Sequence, residues 1–410
     1  MSDKNKTCII DGKECSLSDM GAGGASADAR VSPCNSPLED MRDRIVIIGA
    51  GIAGVNAATS LAQGHSVVLI NREPYLPYYR MRLEEIVSGK SEDDIIMHPA
   101  SWYKEKGIEL LEGEVVGIER DNKSVLLKDG RKLGYDKLLI ATGSDAISLS
   151  FAPGLTLRTM DDAKKLRSSL LSSSGVVSII GGGLLGLELA SSIREAFSLP
   201  VQVFESADHI LPLQLDAESS DILKASFLER GINLETSVRL SSYEDGRLID
   251  SEGRSYEAGT IIFSVGSSPS KSLGEVSGLA CAKGIIVNED LVTSDDDIYA
   301  LGDCAERDGR CSSLAMYARE MGLYAAKSIN GEGLPYRPSQ SSTILKVGGI
   351  DVASFGAIDG EARRYDKGLA RITAFVKDGV VAGVVLINAK AYMMKAKNAI
   401  GKEYTEALFE

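Results

Sequence analysis

One pattern constrains this chain more than any other: a strand, a glycine-rich turn, a helix and a second strand occur twice in the same order. The first copy opens with Arg44-Ile45-Val46-Ile47-Ile48, an apolar run as long as a fully buried strand. It leads into Gly49-Ala50-Gly51-Ile52-Ala53-Gly54, the helical stretch VNAATSLAQG, and a second apolar run from Ser66 to Ile70. The second copy runs from Val176 to Ile180, through Gly181-Gly182-Gly183-Leu184-Leu185-Gly186 and the helix-like LELASSIREAF, to Val201-Gln202-Val203-Phe204. The correspondence continues downstream. Alternating strands joined by turn dipeptides such as Asp121-Asn122 and Asp129-Gly130 end at Gly143, and a similar series after the second copy ends at Gly266. A duplicated unit of this length is far more specific than a lone glycine motif.

Each copy predicts a β-α-β unit, because parallel strands need a helical crossover. The expected fold class is therefore α/β: two Rossmann-like dinucleotide-binding domains, each a parallel sheet plus a three-stranded excursion, with a small C-terminal α+β domain. A short strand ending in Gly302-Asp303, followed by SLAMYAREMGLYAAKSI, is expected to return the chain to the first domain. The predicted divisions are a flexible extension over residues 1–42, a discontinuous first domain over residues 43–155 and 285–334, a second domain over residues 156–284, and a C-terminal domain over residues 335–410.

In the first motif, Gly49 permits the tight turn, Gly51 lets the backbone approach a pyrophosphate, and Gly54 lets the helix pack on the strand. The helix N-terminus then offers unsatisfied N–H groups to phosphate. An acid that binds ribose is expected at the end of the second strand, but that place holds Asn71, with Arg72 and Glu73 after it. Asn71 or Glu73 is expected to serve the ribose instead. In the second motif the corresponding residue is Glu205, which accepts ribose hydroxyls and repels a 2′-phosphate. Ser206-Ala207-Asp208-His209 supplies no Arg, so NADH is expected in preference to NADPH. Glu188 reads either as a nicotinamide carboxamide contact or as a helix-surface acid.

Composition narrows the partners. The 410 residues carry 58 acidic against 45 basic side chains, a net charge of -13, which argues against broad nucleic-acid binding or adhesion to anionic membranes. No apolar run approaches the ~18 residues of a membrane span, and the N-terminal stretch lacks a signal-peptide pattern, so a cytoplasmic location is expected. Six cysteines, Cys8, Cys15, Cys34, Cys281, Cys304 and Cys311, are too few for a disulfide scaffold.

Together with the two glycine motifs, Ala141-Thr142-Gly143 and Gly302-Asp303 resemble the signatures of the two-dinucleotide-binding-domain flavoproteins, the pyridine nucleotide-disulfide oxidoreductase superfamily. The resemblance implies FAD at the first motif, held by Gly49, Gly51, Ala53, Gly54, Asn71, Arg72, Glu73, Arg80, Val115, Ala141, Thr142, Gly143, Gly302, Asp303 and Lys346. It implies NADH at the second, held by Gly181, Gly183, Leu184, Leu185, Gly186, Glu188, Glu205, Val265 and Gly266. Asp303 would bond the ribityl and phosphate part of FAD, with Arg80 and Arg82 on its phosphates or near the ring. The hydride would pass to flavin N5 with no acid–base side chain. Glu73-Pro74-Tyr75-Leu76-Pro77-Tyr78-Tyr79-Arg80-Met81-Arg82-Leu83 and Thr343 to Asp351 look like the branch that includes NADH:rubredoxin oxidoreductases and the flavin portion of assimilatory nitrite reductases.

An absence narrows the acceptor. Disulfide reductases and peroxidatic enzymes of the superfamily need cysteine on the helix after the first ribose strand, and residues 73–102 contain none. The only histidines are His65, His98 and His209, with no His-Glu dyad in the C-terminal domain. With thiol chemistry disfavoured, the resemblance to the NADH:rubredoxin oxidoreductase branch implies a small electron carrier such as rubredoxin, or an iron-sulfur partner, as the acceptor. The alternative is a flavoprotein subunit of a larger iron-sulfur complex with the extension at its interface, and both homo-oligomer and hetero-complex stay open. Cys8, Cys15 and Cys34 read either as incidental thiols of a tail or as cluster ligands, and Cys281, Cys304 and Cys311 as packing. An acidic carrier would need a basic face, offered by Arg363, Arg364, Lys367 and Arg371, or by Lys390, Lys395 and Lys397.

Overall fold

A computed structural model of the chain describes residues 42–332, 335–347 and 349–409, together with the backbone of two strands, Thr7–Ile10 and Lys13–Ser16. Those two strands pair antiparallel with Cys8 opposite Cys15, so the segment expected to be a flexible extension contains a β element. Its β-branched Thr7, Ile9 and Ile10 favour that pairing. Cys34 and the side chains of Cys8 and Cys15, the proposed cluster ligands, lie outside the described residues. Residues 1–42 and residues 43–410 form separate compact units.

In the larger unit, five parallel strands lie in the order Ile298–Ala300, Lys137–Ile140, Arg44–Ile48, Ser66–Asn71, Ile108–Glu112. A second parallel sheet has the order Ile232–Glu235, Val201–Phe204, Val177–Ile180, Thr260–Phe263. In both, the strand before the glycine turn is flanked by the strand after its helix and by the strand that ends the three-stranded excursion. The excursions are Val115–Glu119, Ser124–Leu127 and Lys132–Gly134, and Leu240–Glu244, Arg247–Asp250 and Ser255–Glu257. Their loss of apolar continuity and their turn glycines divert the chain out of each sheet before it returns.

Helices Ile52–Leu61 and Ala315–Ile329 pack together over the first sheet. Gly322 makes their crossing close: a Cβ there would lie 2.4 Å from the Ala53 carbonyl oxygen. This contact holds Gly302, and with it Asp303, beside the N-terminal turn that carries Ala53. A second core joins helices Leu83–Ser88, Met160–Leu171 and Leu184–Phe197 to the second sheet and to one face of the C-terminal sheet, through Leu345, Val352, Phe375 and Val385.

The C-terminal sheet is antiparallel, in the order Ser342–Val347, Ile350–Gly356, Val380–Ile387, Ala370–Lys377, Glu361–Lys367. Its other face buries Phe355, Ala374, Val384 and Leu386 beneath Ala396 and Ala399 of helix Met393–Ala399 and beneath Phe409. Among the described residues no helix is long and apolar enough to cross a membrane.

Gly322→Ala is expected to lower the unfolding free energy by about 1–3 kcal/mol, since the added methyl meets backbone that only a helix shift can relieve. Urea denaturation of the purified variant measures it.

Candidate functional site

The two glycine turns repeat each other nearly atom for atom. Gly49 adopts φ +106° and a Cβ on it would stand 2.2 Å from the Ala141 oxygen; Gly181 adopts φ +115° with the Ser264 oxygen at 2.3 Å. A Cβ on Gly54 would meet the Gly49 oxygen at 2.0 Å, and one on Gly186 the Gly181 oxygen at 2.2 Å. Gly49 N–H donates to Ile70 O (2.9 Å) and Gly181 N–H to Phe204 O (2.8 Å). At the two N-caps, Gly51 and Gly183, the surroundings open: no atom lies within 4 Å of an ideal Cβ, and no side chain caps either helix. Each helix thus presents bare N–H groups beside a turn with room for a ligand backbone, which suits an anionic pyrophosphate. Ala53 is buried inside the first turn, while Leu184 is half-buried and Leu185 exposed at the second.

Glu205 ends the second strand of the second unit and reaches back to its turn. Its Oε2 accepts the Gly182 N–H at 2.8 Å and its Oε1 the Ala207 N–H at 2.8 Å. In the first unit, Asn71 donates through Nδ2 to Tyr75 O at 2.7 Å, which leaves its amide oxygen turned to acceptor work. Glu73 is committed elsewhere: it pairs with Arg80 and accepts the Tyr78 hydroxyl at 2.7 Å. Arg80 also donates to Arg158 O at 2.9 Å. Arg82 grips Glu85 (2.7 and 2.8 Å), holding that carboxyl down at about 2. Arg72 is exposed, Val115 is half-buried at a bulge, and Lys346 is exposed on strand Ser342–Val347.

Asp303 stands on a single helical turn, Gly302–Cys304, at the end of the first sheet. Its Oδ2 accepts Ser144 Oγ–H at 2.7 Å and an Arg158 N–H at 3.1 Å, and the Arg158 Nε also donates to Ser144 O at 2.8 Å. Thr142 Oγ–H donates to Ser270 O (2.9 Å), and Ser270 N–H to Gly143 O (3.0 Å). On the second unit Ile147 N–H donates to Gly266 O (3.1 Å), beside half-buried Val265. Between these bonds Ser144–Ala146 pairs with Ser267–Pro269, so a two-stranded ribbon ties the two glycine ends together.

Helices Leu83–Ser88 and Leu184–Phe197 bring two acids together. Burial, with Glu84 close by, pushes the Glu188 carboxyl up to about 7; burial and Glu85 push Glu84 up to about 7 as well. Burial also raises the thiols of Cys281, Cys304 and Cys311; Cys304 Sγ–H donates to Leu301 O at 3.2 Å in full burial. Among the described residues no group of three or more His, Cys, Asp or Glu is arranged to hold a metal ion.

Sequence reasoning missed Arg158, Ser144 and Glu84. A signal for Arg158 was present: Thr159 and Asp162 form a capping box that fixes the start of helix Met160–Leu171, and Arg158 immediately precedes it.

Residues 43–322 match the family described as pyridine nucleotide-disulphide oxidoreductase. The chain belongs to that family. The NADH-rubredoxin oxidoreductase of Clostridium acetobutylicum is 35% identical over 371 residues, covering 87% of this chain and 94% of the relative. The crystal structure of the enzyme from that organism superposes with a TM-score of 0.76 at 32% identity, covering 89% and 97% of the two chains. The benzene 1,2-dioxygenase system ferredoxin–NAD(+) reductase subunit of Pseudomonas putida is 32% identical, covering 85% of this chain and 90% of its own. A ferredoxin reductase for the CYP199A2 system of Rhodopseudomonas palustris superposes with a TM-score of 0.83 at 26% identity, covering 89% and 96%. The two-Rossmann architecture expected from the repeat is the fold these relatives share.

Because Glu188 is costly to ionise in the fold, its penalty is absent near pH 4.5 and grows as pH rises through 7. Glu188→Gln is therefore expected to raise the Tm at pH 8 and to leave it unchanged near pH 4.5, in thermal unfolding followed by circular dichroism.

Proposed function

We propose that this chain is an FAD-dependent NADH oxidoreductase that passes electrons from NADH to a small electron-carrier protein of the rubredoxin or iron-sulfur ferredoxin kind. The observation that carries the acceptor assignment is the segment from Glu73 to Trp102, which reaches into the core shared with the second nucleotide unit and contains no cysteine. The names and reach of the relatives support the same reading. FAD is assigned to residues 43–155 with 285–334, NADH to residues 156–284, and the third domain to residues 335–410. The cytoplasm is the location that fits.

When bound, flavin accepts a hydride as two electrons and releases electrons singly, which matches a nicotinamide donor to a one-electron carrier. The chain's own residues supply binding and orientation. The N–H groups after Gly51 and Gly183 would hold the two pyrophosphates. Asn71 would accept from the first ribose. Asp303, fixed by Arg158 and Ser144, would accept from the ribityl hydroxyls. Glu205 would exchange its Gly182 bond for ribose hydroxyls and oppose a 2′-phosphate. Glu188 would meet the nicotinamide carboxamide, accepting as a carboxylate or donating as an acid.

Glu205→Ala is expected to raise the KM for NADH by roughly 10-fold, about 1.4 kcal/mol, and to narrow the preference for NADH over NADPH in steady-state assays. For the function itself, protein reduced anaerobically by NADH is mixed with rubredoxin, ferredoxin or a disulfide. Rapid reoxidation by a protein carrier is expected; rapid reoxidation by the disulfide alone overturns the proposal.

A further inference from the structure

Two acids meet where a helix of the first nucleotide unit packs on the glycine helix of the second. Glu84 stands on Leu83–Ser88 and Glu188 on the second turn of Leu184–Phe197, each directly after a leucine, Leu83 or Leu187, that is buried in the core the two helices share. Both acids are half-buried. Burial, and after it the charge of Glu84, holds the Glu188 carboxyl up at about 7, and burial with Glu85 holds Glu84 there too. Two carboxylates in one poorly hydrated contact do not both ionise readily, so near neutral pH the pair keeps about one proton.

The surrounding charges decide which acid keeps that proton. Glu84 feels Glu85, Arg82 and Lys90, one negative charge against two positive ones. Both cations bond Glu85, Arg82 at 2.7 and 2.8 Å and Lys90 at 2.8 Å, and act on Glu84 through space. Among the described residues Glu84 is the one charged group that acts on Glu188. Charges on the other packed elements are engaged elsewhere or turned out. Arg167 of helix Met160–Leu171 donates to Val87 O at 2.8 Å, Lys164 pairs with Glu92 at 2.5 Å, and Lys165 is exposed. Arg194, at the far end of the Glu188 helix, donates to Ser198 O and Arg230 O, and Glu235 beneath that helix accepts from Asn233. Lys346 is exposed next to Leu345, the residue of its strand that is buried in the shared core. The negative charge therefore rests on Glu84, which has cations nearby, and the proton on Glu188, which has none.

A nicotinamide carboxamide offers a carbonyl acceptor and N–H donors, so the state of Glu188 sets which end of it is held. We propose that Glu84 is a positioning residue for NADH: its carboxylate, across the helix contact, keeps the proton on Glu188, and Glu188 donates a hydrogen bond to the carboxamide oxygen. This rests on the NADH assignment made above and sharpens it, because it fixes Glu188 as a donor. A neutral donor also suits the neutral ring of NADH, beside which a second half-buried carboxylate would be an uncompensated charge.

The test titrates the full chain, loaded with FAD, with 1,4,5,6-tetrahydro-NAD, which keeps the carboxamide and a neutral ring but has no hydride to give; calorimetry reads the Kd from about pH 5.5 to 8. The wild-type Kd is expected to rise about 10-fold between pH 6 and pH 8, as the fraction of Glu188 that holds its proton falls through a midpoint near 7. Glu188→Gln, whose amide donates at every pH, is expected to give a flat profile. Glu84→Gln removes the charge that keeps the proton on Glu188, so the rise begins at lower pH: the Kd is expected to be about 3-fold above wild type at pH 7 and unchanged at pH 5.5. Glu84→Asp keeps the charge and the wild-type profile. A Kd that falls as pH rises, a Glu84→Gln profile that superimposes on wild type, or a pH dependence retained in Glu188→Gln overturns the positioning role while NADH still bleaches the flavin. The wild-type and Glu188→Gln profiles decide the matter if Glu84→Gln does not fold. Failure of NADH to bleach the flavin of the wild-type protein overturns the NADH assignment, and the proposal with it.

Discussion

Two carbonyl oxygens, those of Ala141 and Ser264, fix the geometry on which the rest of the molecule depends. Each occupies the space a side chain would need on the glycine that ends the neighbouring strand, Gly49 or Gly181. The turn is thereby pressed against the sheet, the strand stops, and the helix begins with its first N–H groups unpaired and pointing into open space. The suitability of each turn for an anion comes from that close backbone packing, not from any charged side chain. Because the same contact is made twice, one chain gains two equivalent cradles, and the side chains that end the second strands, Asn71 and Glu205, differentiate them.

The two cradles are held in one body by contacts that belong to neither motif. The ribbon formed by Ser144–Ala146 and Ser267–Pro269 joins the glycine ends of the two sheets. Arg158 reaches from the connection between the units to Asp303, and the segment bearing Tyr78, Leu83 and Ile86 is buried with Leu187 and Ile193 of the second. Where disulfide reductases of the family need a thiol, this segment is occupied by apolar packing and by an acid pair, Glu84 with Glu188. In the C-terminal domain Arg363, Arg364 and Arg371 are taken up in ion pairs with Glu361, Asp216, Glu218 and Asp366.

The fold was largely legible because its signals are local. Buried parallel strands announce themselves as unbroken apolar runs, and glycine at fixed spacing marks the turn between strand and helix. What escaped was the choice of partner for each polar side chain, whether three residues away or a hundred. Glu73 looked like a ribose ligand from its position, yet in the fold it serves Arg80 and Tyr78. Arg82, expected on the FAD phosphates or near the ring, is held by Glu85. Strand Glu361–Lys367 places a single apolar residue on each face, Ala362 on one and Tyr365 on the other, among charged neighbours, and so carries no apolar alternation to reveal it. Arg158 and Asp303 lie 145 residues apart, beyond any sequence period. The two basic runs of the last domain already differ in sequence, since Glu361 and Asp366 lie in or beside the first and no acid lies between residues 379 and 402; the fold adds Asp216 and Glu218 opposite the first.

The central claim is that identical backbone cradles hold different dinucleotides, FAD on the turn from Gly49 to Gly54 and NADH on the turn from Gly181 to Gly186. A crystal structure of the protein with FAD and NAD⁺ tests it most directly. The account expects the FAD pyrophosphate against the helix beginning at Ile52, and the NAD⁺ ribose on Glu205. The reverse assignment, or a nicotinamide dinucleotide absent from the second cradle at saturating concentration, would contradict it.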